Sequence, residues 1–297
     1  MYPNTLYLGR EWNVDHDQRV KVSNAELRYA VLGSGEPILC IHGTNIADSL
    51  ITPLRFYSPL LEEYQLISYY RAGYNGSTLT ASSLSIEGSA EHAAQLLDHL
   101  GIPKAHIMAF SFGGVIGFQF LLSYPERAHS AILLEPYLNR ESPEAVEANV
   151  NAYNRAMELY QSGDKFGAAK SYMEDVAGPS FLSAVEMTGP LDVWQRVEAC
   201  VDTAFTVDLP AVVSWKFRMS EASNLVSTKP SMPILAVMGL DSESVMPGFR
   251  EVQRFLMTWL PQAERCGIPN ATHGLQSMNP VAVGEGAYGF LKKHPMS

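Results

Sequence analysis

The sequence predicts an α/β protein: an open, mostly parallel central sheet of about eight strands flanked by helices, with a helical block inserted late in the chain. Three observations lead there. Strand and helix patterns alternate repeatedly up to residue 138 and resume near residue 230. Several strand runs are apolar throughout, as burial of a parallel sheet on both faces requires. Between 139 and 229 the strand pattern stops and helical periodicity takes over.

Taken in order, "AELRYAVLGSGEPILCIHGTN" reads as an alternating strand, a Gly-Ser-Gly turn and a short continuous apolar strand, "PILCIH". A helix, "SPLLEEY", precedes the strand "QLISYY", and the turn-rich "RAGYNGST" leads to the amphipathic "SIEGSAEHAAQLLDHLG". There Ala90, Ala94 and Leu97 keep helical spacing and Gly101 stops the helix. The strand "HIMAF" runs into Ser111, "FGGVIGFQFLLSYP" continues as a helix ended by Pro125, and "SAILLE" is the next strand. In the inserted block Ser142-Pro143 starts a helix with Val146, Val150, Tyr153, Met157 and Tyr160 along one side. "MPILAVMG", the helix in "FREVQRFLMTWL", the strand "AERCGIP" and the helix in "NPVAVGEGAYGFLKKH" complete the pattern. The expected division is a core of 1–138 plus 230–297 and a helical insertion of 139–229.

The chain is 297 residues long, roughly twice the usual single-domain size, which suits one sheet core carrying an insertion. At 46% hydrophobic and 18% charged residues it is too apolar for disorder. A formal charge of −10, with no basic run longer than Lys292-Lys293, argues against nucleic acid or an anionic membrane as partner. The opening "MYPNTLYLGREW" lacks a basic region followed by an apolar stretch, and no apolar run approaches the roughly 20 residues of a membrane span. A soluble, cytoplasmic protein is expected. Cys40, Cys200 and Cys266 are far apart and fit no ligand pattern, so they read as buried free thiols. No metal or organic cofactor is implied, and the sequence leaves a homodimer open.

Ser111 carries the chemistry. A serine hydroxyl is a poor nucleophile near neutral pH and needs a base for its proton and donors for the oxyanion that attack creates. A strand-Ser-helix turn would set Ser111 at the carboxyl end of a central strand, where open α/β sheets bind ligands. The tight turn demands small residues two positions either side, here Ala109 and Gly113, and the N–H of Phe112 would face the reacting carbonyl.

"AFSFG", residues 109–113, resembles the G-x-S-x-G nucleophile elbow of the α/β-hydrolase family, with Ala109 in place of the first glycine. Three further stretches are similar to the same family, in the same order. "CIHGTN" resembles the His-Gly loop after the third strand, which implies that Thr44 supplies the second oxyanion N–H and that His42 shapes the loop. "YRAGYNGST" resembles the loop after the fourth strand, where Arg71, Gly73, Gly76 and Ser77 read as structural. "PNATHGLQSMNP" resembles the last family motif and makes His273 the general base.

The third triad member has three candidates. The usual position, three residues after Gly239, holds Ser242, and Asp241 and Glu243 flank it one residue out of place. Glu135 ends an apolar strand 24 residues after Ser111, an odd place for a carboxylate unless something receives it. Haloalkane dehalogenases and zearalenone-type lactone hydrolases within the family use a glutamate there, and the sequence is similar to them at that point. Glu135 is therefore the leading acid, with Asp241 and then Glu243 as alternatives.

A serine at the elbow argues against dehalogenase and epoxide hydrolase chemistry, which use a carboxylate nucleophile. Acyl transfer to water remains. The resemblance implies that the insertion, 139–229, forms a helical cap over Ser111; it supplies Met157, Met173, Phe181, Met187, Trp194, Phe205, Trp215, Phe217 and Met219, which together suggest an apolar pocket for a small apolar or aromatic ester or a lactone. Two other readings stay open: C–C or amide bond cleavage, lyase or cofactor-free oxidative chemistry by the same triad, and a fold retained for ligand binding.

Overall fold

The computed structural model describes residues 14–225 and 229–296; the opening stretch read above for a targeting signal lies outside the described residues, and so do 226–228 of the inserted block. The strands are β1 (Gln18–Val22), β2 (Ala25–Leu32), β3 (Glu36–Ile41), β4 (Tyr64–Tyr69), β5 (Thr78–Leu79), β6 (Ala105–Phe110), β7 (Ala128–Leu134), β8 (Ile234–Gly239) and β9 (Ala263–Ile268). The helices are α1 (Pro59–Glu63), α2 (Ile86–His99), α3 (Ser111–Ser123), α4 (Pro143–Gln161), α5 (Lys165–Ala177), α6 (Ser180–Thr188), α7 (Val193–Thr203), α8 (Leu209–Ser214), α9 (Phe249–Trp259), α10 (Leu275–Met278) and α11 (Pro280–Lys293).

One sheet of nine strands results, ordered β1-β2-β4-β3-β6-β7-β8-β9, with the two-residue β5 paired to β2. From β4 to β9 every neighbouring pair is parallel, whereas β1 and β2 add an antiparallel edge. About eight strands were expected, and the segments read as strands include neither the edge strand β1 nor the two-residue β5. Alternation along the strands divides the core. Leu39, Ile41, Ile107, Ala109 and Leu133 pack with α2 and α3 on one face, while Ile38, Cys40, Met108, Ile132 and Leu134 pack with α11 on the other. The helix boundaries have local causes. The Ser85 hydroxyl accepts the Gly88 N–H at the start of α2, and Gly101, at φ +67°, lies just beyond its end. Pro143 occupies the first position of α4, where its missing N–H costs nothing.

Between β7 and β8 the chain forms α4 to α8, with one π-helical turn over Ala204–Asp208. The junction with the core is ionic as well as apolar. Arg71, after β4, makes a two-pronged pair with Asp208, Nη1 to Oδ1 at 3.0 Å and Nη2 to Oδ2 at 2.6 Å, with both side chains almost wholly buried. The Tyr74 hydroxyl donates to the same carboxylate at 2.6 Å. Cys40 and Cys200 are buried free thiols, and Cys266, read as buried, is only half-covered because β9 lies at the sheet edge. No helix among the described residues is long and apolar enough to cross a membrane.

Removing one partner of a buried ion pair strands the other charge in a medium that solvates it poorly. Asp208→Asn should lower the unfolding free energy by about 3–5 kcal/mol, read from urea melts with unchanged slope. A loss below about 1 kcal/mol would mean that solvent reaches Arg71.

Candidate active site

Ser111 occupies the junction of β6 and α3 with φ +54°, in the left-handed region that only glycine enters freely. The residues after it make that turn feasible. A Cβ on Gly113 would lie 2.3 Å from the carbonyl oxygens of Ile41 and His42, and one on Gly114 2.7 Å from Cα of Pro136. The first turn of α3 is thus wedged between the ends of β3 and β7, and no side chain fits there. Ala109 is accommodated in the first glycine's place because Gly117 faces it: a Cβ at 117 would come within 2.6 Å of the Ala109 methyl.

Three residues from separate strand ends meet at this turn. The Ser111 hydroxyl donates to Nε2 of His273 at 2.8 Å, and Nδ1–H of His273 donates to Oε2 of Glu135 at 2.8 Å. The other carboxylate oxygen of Glu135 accepts the N–H of Gly239 at 2.8 Å, so the carboxylate is held from both sides. Glu135 itself sits at φ +40°, a second strained residue one strand from the first. Asp241 and Glu243 are not brought to His273. Asp241 is solvent-exposed, and Glu243 accepts the N–H groups of Gly248 and Arg250 at the start of α9.

The imidazole is buried, stacked on Phe249 at 4.5 Å between centroids and flanked by Phe110 at 5.1 Å. Burial depresses its pKa below the ordinary histidine value, an effect that the Glu135 carboxylate opposes without overcoming. It is therefore neutral and hydrogen-bonded to the serine it would deprotonate near pH 7. The arrangement can take a proton from Ser111, stabilise the imidazolium and return the proton to a leaving group.

Thr44 and Phe112 both line the cavity over Ser111. The Phe112 N–H belongs to the first turn of α3 and so has no partner inside the helix. The Thr44 loop is braced from behind: Arg71 donates from Nη2 to the Gly43 carbonyl at 2.9 Å and from Nε to the His42 carbonyl at 3.2 Å. His42 accepts the Arg71 N–H at Nε2 and contacts the Gly43 carbonyl through Nδ1, which gives it a loop-holding place. The Thr44 hydroxyl donates to Tyr74, whose own proton goes to Asp208. Sequence reasoning named Arg71 as structural but passed over Tyr74 and Asp208. The one signal was an acidic residue in the otherwise apolar "AFTVDLPAVV".

The cavity measures about 310 Å³, and its walls include Tyr153, Met173, Val176, Phe181, Leu209 and Val212. Of the nine apolar residues expected to form it, only Met173 and Phe181 line it. Trp215, Phe217 and Met219 instead pack into the sheet core, with Trp215 and Phe217 against Phe118 of α3, and Met187 points to solvent. Val146 and Val150 stand half in water at the rim. Among the described residues no group of three or more His, Cys, Asp or Glu is placed to hold a metal ion.

A family profile described as alpha/beta hydrolase fold matches residues 36–280. The Bacillus subtilis hydrolase YcgS is 34% identical over 119 residues, covering 39% of this chain and 40% of the relative, so that match spans well under half of its length. Among solved structures, a thermophilic esterase from Thermogutta terrifontis aligns with TM-score 0.71 at 22% identity over 94% of this chain and all of that one. Est816, titled an N-acyl homoserine lactone degrading enzyme, aligns with TM-score 0.66 at 19% identity over 92% of this chain and all of that one. With the profile spanning more than three quarters of its length and the same sheet in its structure, the chain belongs to the α/β-hydrolase fold family.

Proposed function

We propose that this hydrolase cleaves a carboxylic ester or lactone with an apolar or aromatic part, using Ser111, His273 and Glu135, with the block 139–229 serving as a cap. The observation that carries the reading is the hydrogen-bonded line from Ser111 through His273 to Glu135, set in the wall of an apolar cavity. Ser111 Oγ attacks the carbonyl carbon as its proton passes to Nε2 of His273, and the oxyanion receives the N–H groups of Thr44 and Phe112. The imidazolium returns the proton to the leaving alkoxide, leaving an acyl-serine. Water attacks that ester with His273 again as base, and the acid is released as Ser111 regains its proton.

Relatives of the chain carry names as different as carbamate hydrolase and homoserine O-acetyltransferase, so the family does not select the bond. Support for esters and lactones comes from the apolar cavity, from the glutamate after β7 and from the esterase and lactone-degrading structures aligned above.

A serine-directed fluorophosphonate should label Ser111 alone, mapped by mass spectrometry; no label, or label elsewhere, would overturn the mechanism. A panel of p-nitrophenyl esters and lactones should show turnover, and failure on all of them would point to C–C or amide chemistry or to ligand binding. Glu135→Gln should lose about 10³- to 10⁴-fold in kcat, with Asp241→Asn and Glu243→Gln far milder. If either of those is the one that collapses, the acid is misassigned.

The base is active only when neutral, so kcat/KM should fall as pH drops through the depressed pKa of His273, with a midpoint below 6.5. Burial persists in Glu135→Gln while the opposing carboxylate is gone, so its residual activity should titrate at still lower pH. A wild-type midpoint above 6.5 would contradict the burial argument.

A further inference from the structure

Five residues beyond the triad glutamate lies a cation that the proposed chemistry does not use. Arg140 is 5% exposed, lines the same cavity as Ser111 and His273, and has no carboxylate partner among the described residues. Its guanidinium lies 4.0 Å from the ring centroid of Tyr137 and 4.4 Å from that of Phe249, the ring stacked on His273. The cation is therefore close to the reacting groups.

The cluster is rich in donors and short of acceptors. Arg140 donates from Nη1 to Oδ1 of Asn149 at 2.6 Å, and the Tyr137 hydroxyl donates to that same oxygen. The N–H groups on Nε and Nη2 of Arg140 have no hydrogen-bond partner among the described residues, and both nitrogens are closed to water in this structure. Buried donors left unmade are unfavourable, and a buried cation without a counterion more so. Arg71 shows the ordinary solution in this chain, a buried guanidinium met by both oxygens of Asp208. Space has also been kept for Arg140: a Cβ on Gly248, at φ +101°, would come within 2.4 Å of its Cδ. In a chain of net charge −10 this cation is not part of a generally basic surface.

We infer that Arg140 anchors a carboxylate carried by the substrate, so that the cavity takes an ester or lactone whose acyl or alcohol part ends in an acid. The planar fork of a guanidinium matches a carboxylate, and Arg140, which lines the cavity, supplies two N–H groups to its two oxygens once its side chain turns toward the ligand, while the apolar walls receive the carbon chain between acid and ester. This inference rests on the reading of Ser111 as the nucleophile of an ester hydrolase, and it adds the charge of the substrate to it.

The test compares two substrates of equal length, p-nitrophenyl hexanoate and the mono-p-nitrophenyl ester of adipic acid, which differ in a terminal methyl against a carboxylate. The wild type should prefer the adipate in kcat/KM, and the adipate-to-hexanoate ratio should fall by about 10- to 100-fold in Arg140→Met, with part of it kept in Arg140→Lys. A ratio that is the same in all three proteins would overturn the inference, whatever happens to the absolute rates. Binding separates this from failure of the hydrolase reading. Ser111→Ala should bind monomethyl adipate about tenfold or more tightly than methyl hexanoate by calorimetry, and adding Arg140→Met should abolish the difference. Equal binding of the two would refute the anchor even in an active esterase; a preference without any ester turnover would keep the anchor and refute the esterase.

Discussion

The site depends on a close approach of backbone to backbone. Where β6 turns into α3, the chain passes so near the end of β3 that residue 113 can carry no side chain, and the same turn touches the loop after β7 closely enough that residue 114 cannot either. That contact holds Ser111 in the left-handed region and aims its hydroxyl out of the sheet edge. It also brings the Thr44 loop and the Phe112 N–H to the same cavity. Strain at Ser111 and at Glu135, of the order of 1–3 kcal/mol each, persists because buried parallel strands on both sides leave neither residue an alternative.

A second layer of organisation comes from two buried guanidinium groups with opposite surroundings. Every nitrogen of the Arg71 guanidinium has a partner: it meets Asp208 across the junction with the helical block and holds the carbonyls of His42 and Gly43. One side chain thereby couples the position of the helices above the cavity to the loop carrying Thr44. Arg140 is buried without a carboxylate partner among the described residues, where two ring faces and one amide oxygen meet it. The well-paired charge at the junction with the helical block holds the fold, and the under-paired charge near Ser111 is the one we infer to hold a ligand.

Much of this is legible in the amino-acid sequence. The strands buried on both faces, β3, β6, β7 and β8, announce themselves as continuous apolar runs because nothing polar can be tolerated along them. The edge strand β1, "QRVKV", escaped notice because only Val20 is buried in it. The apolar residues of the helical block were legible as a group but not individually: a tryptophan that packs on Phe118 and a methionine that faces the substrate cavity read alike in composition. The Ala109 departure could not be explained locally, since the room for its methyl is made by Gly117, two turns into the next helix.

What the sequence determined by itself is the order of elements, the family, and the candidacy of Ser111, His273 and Glu135, since these follow from residue types at fixed offsets along one chain. Which of Glu135, Asp241 and Glu243 reaches His273 was decided by tertiary structure alone. The choice depends on where parallel strands end relative to one another: β7 delivers its last carboxylate beside the final loop, while the loop after β8 turns Asp241 to water and spends Glu243 on capping α9. The pairing of Arg71 with Asp208, 137 residues apart, and the isolation of Arg140 are of the same kind. No local pattern records them, because a buried charge is defined by what the rest of the chain brings, or fails to bring, within hydrogen-bonding distance.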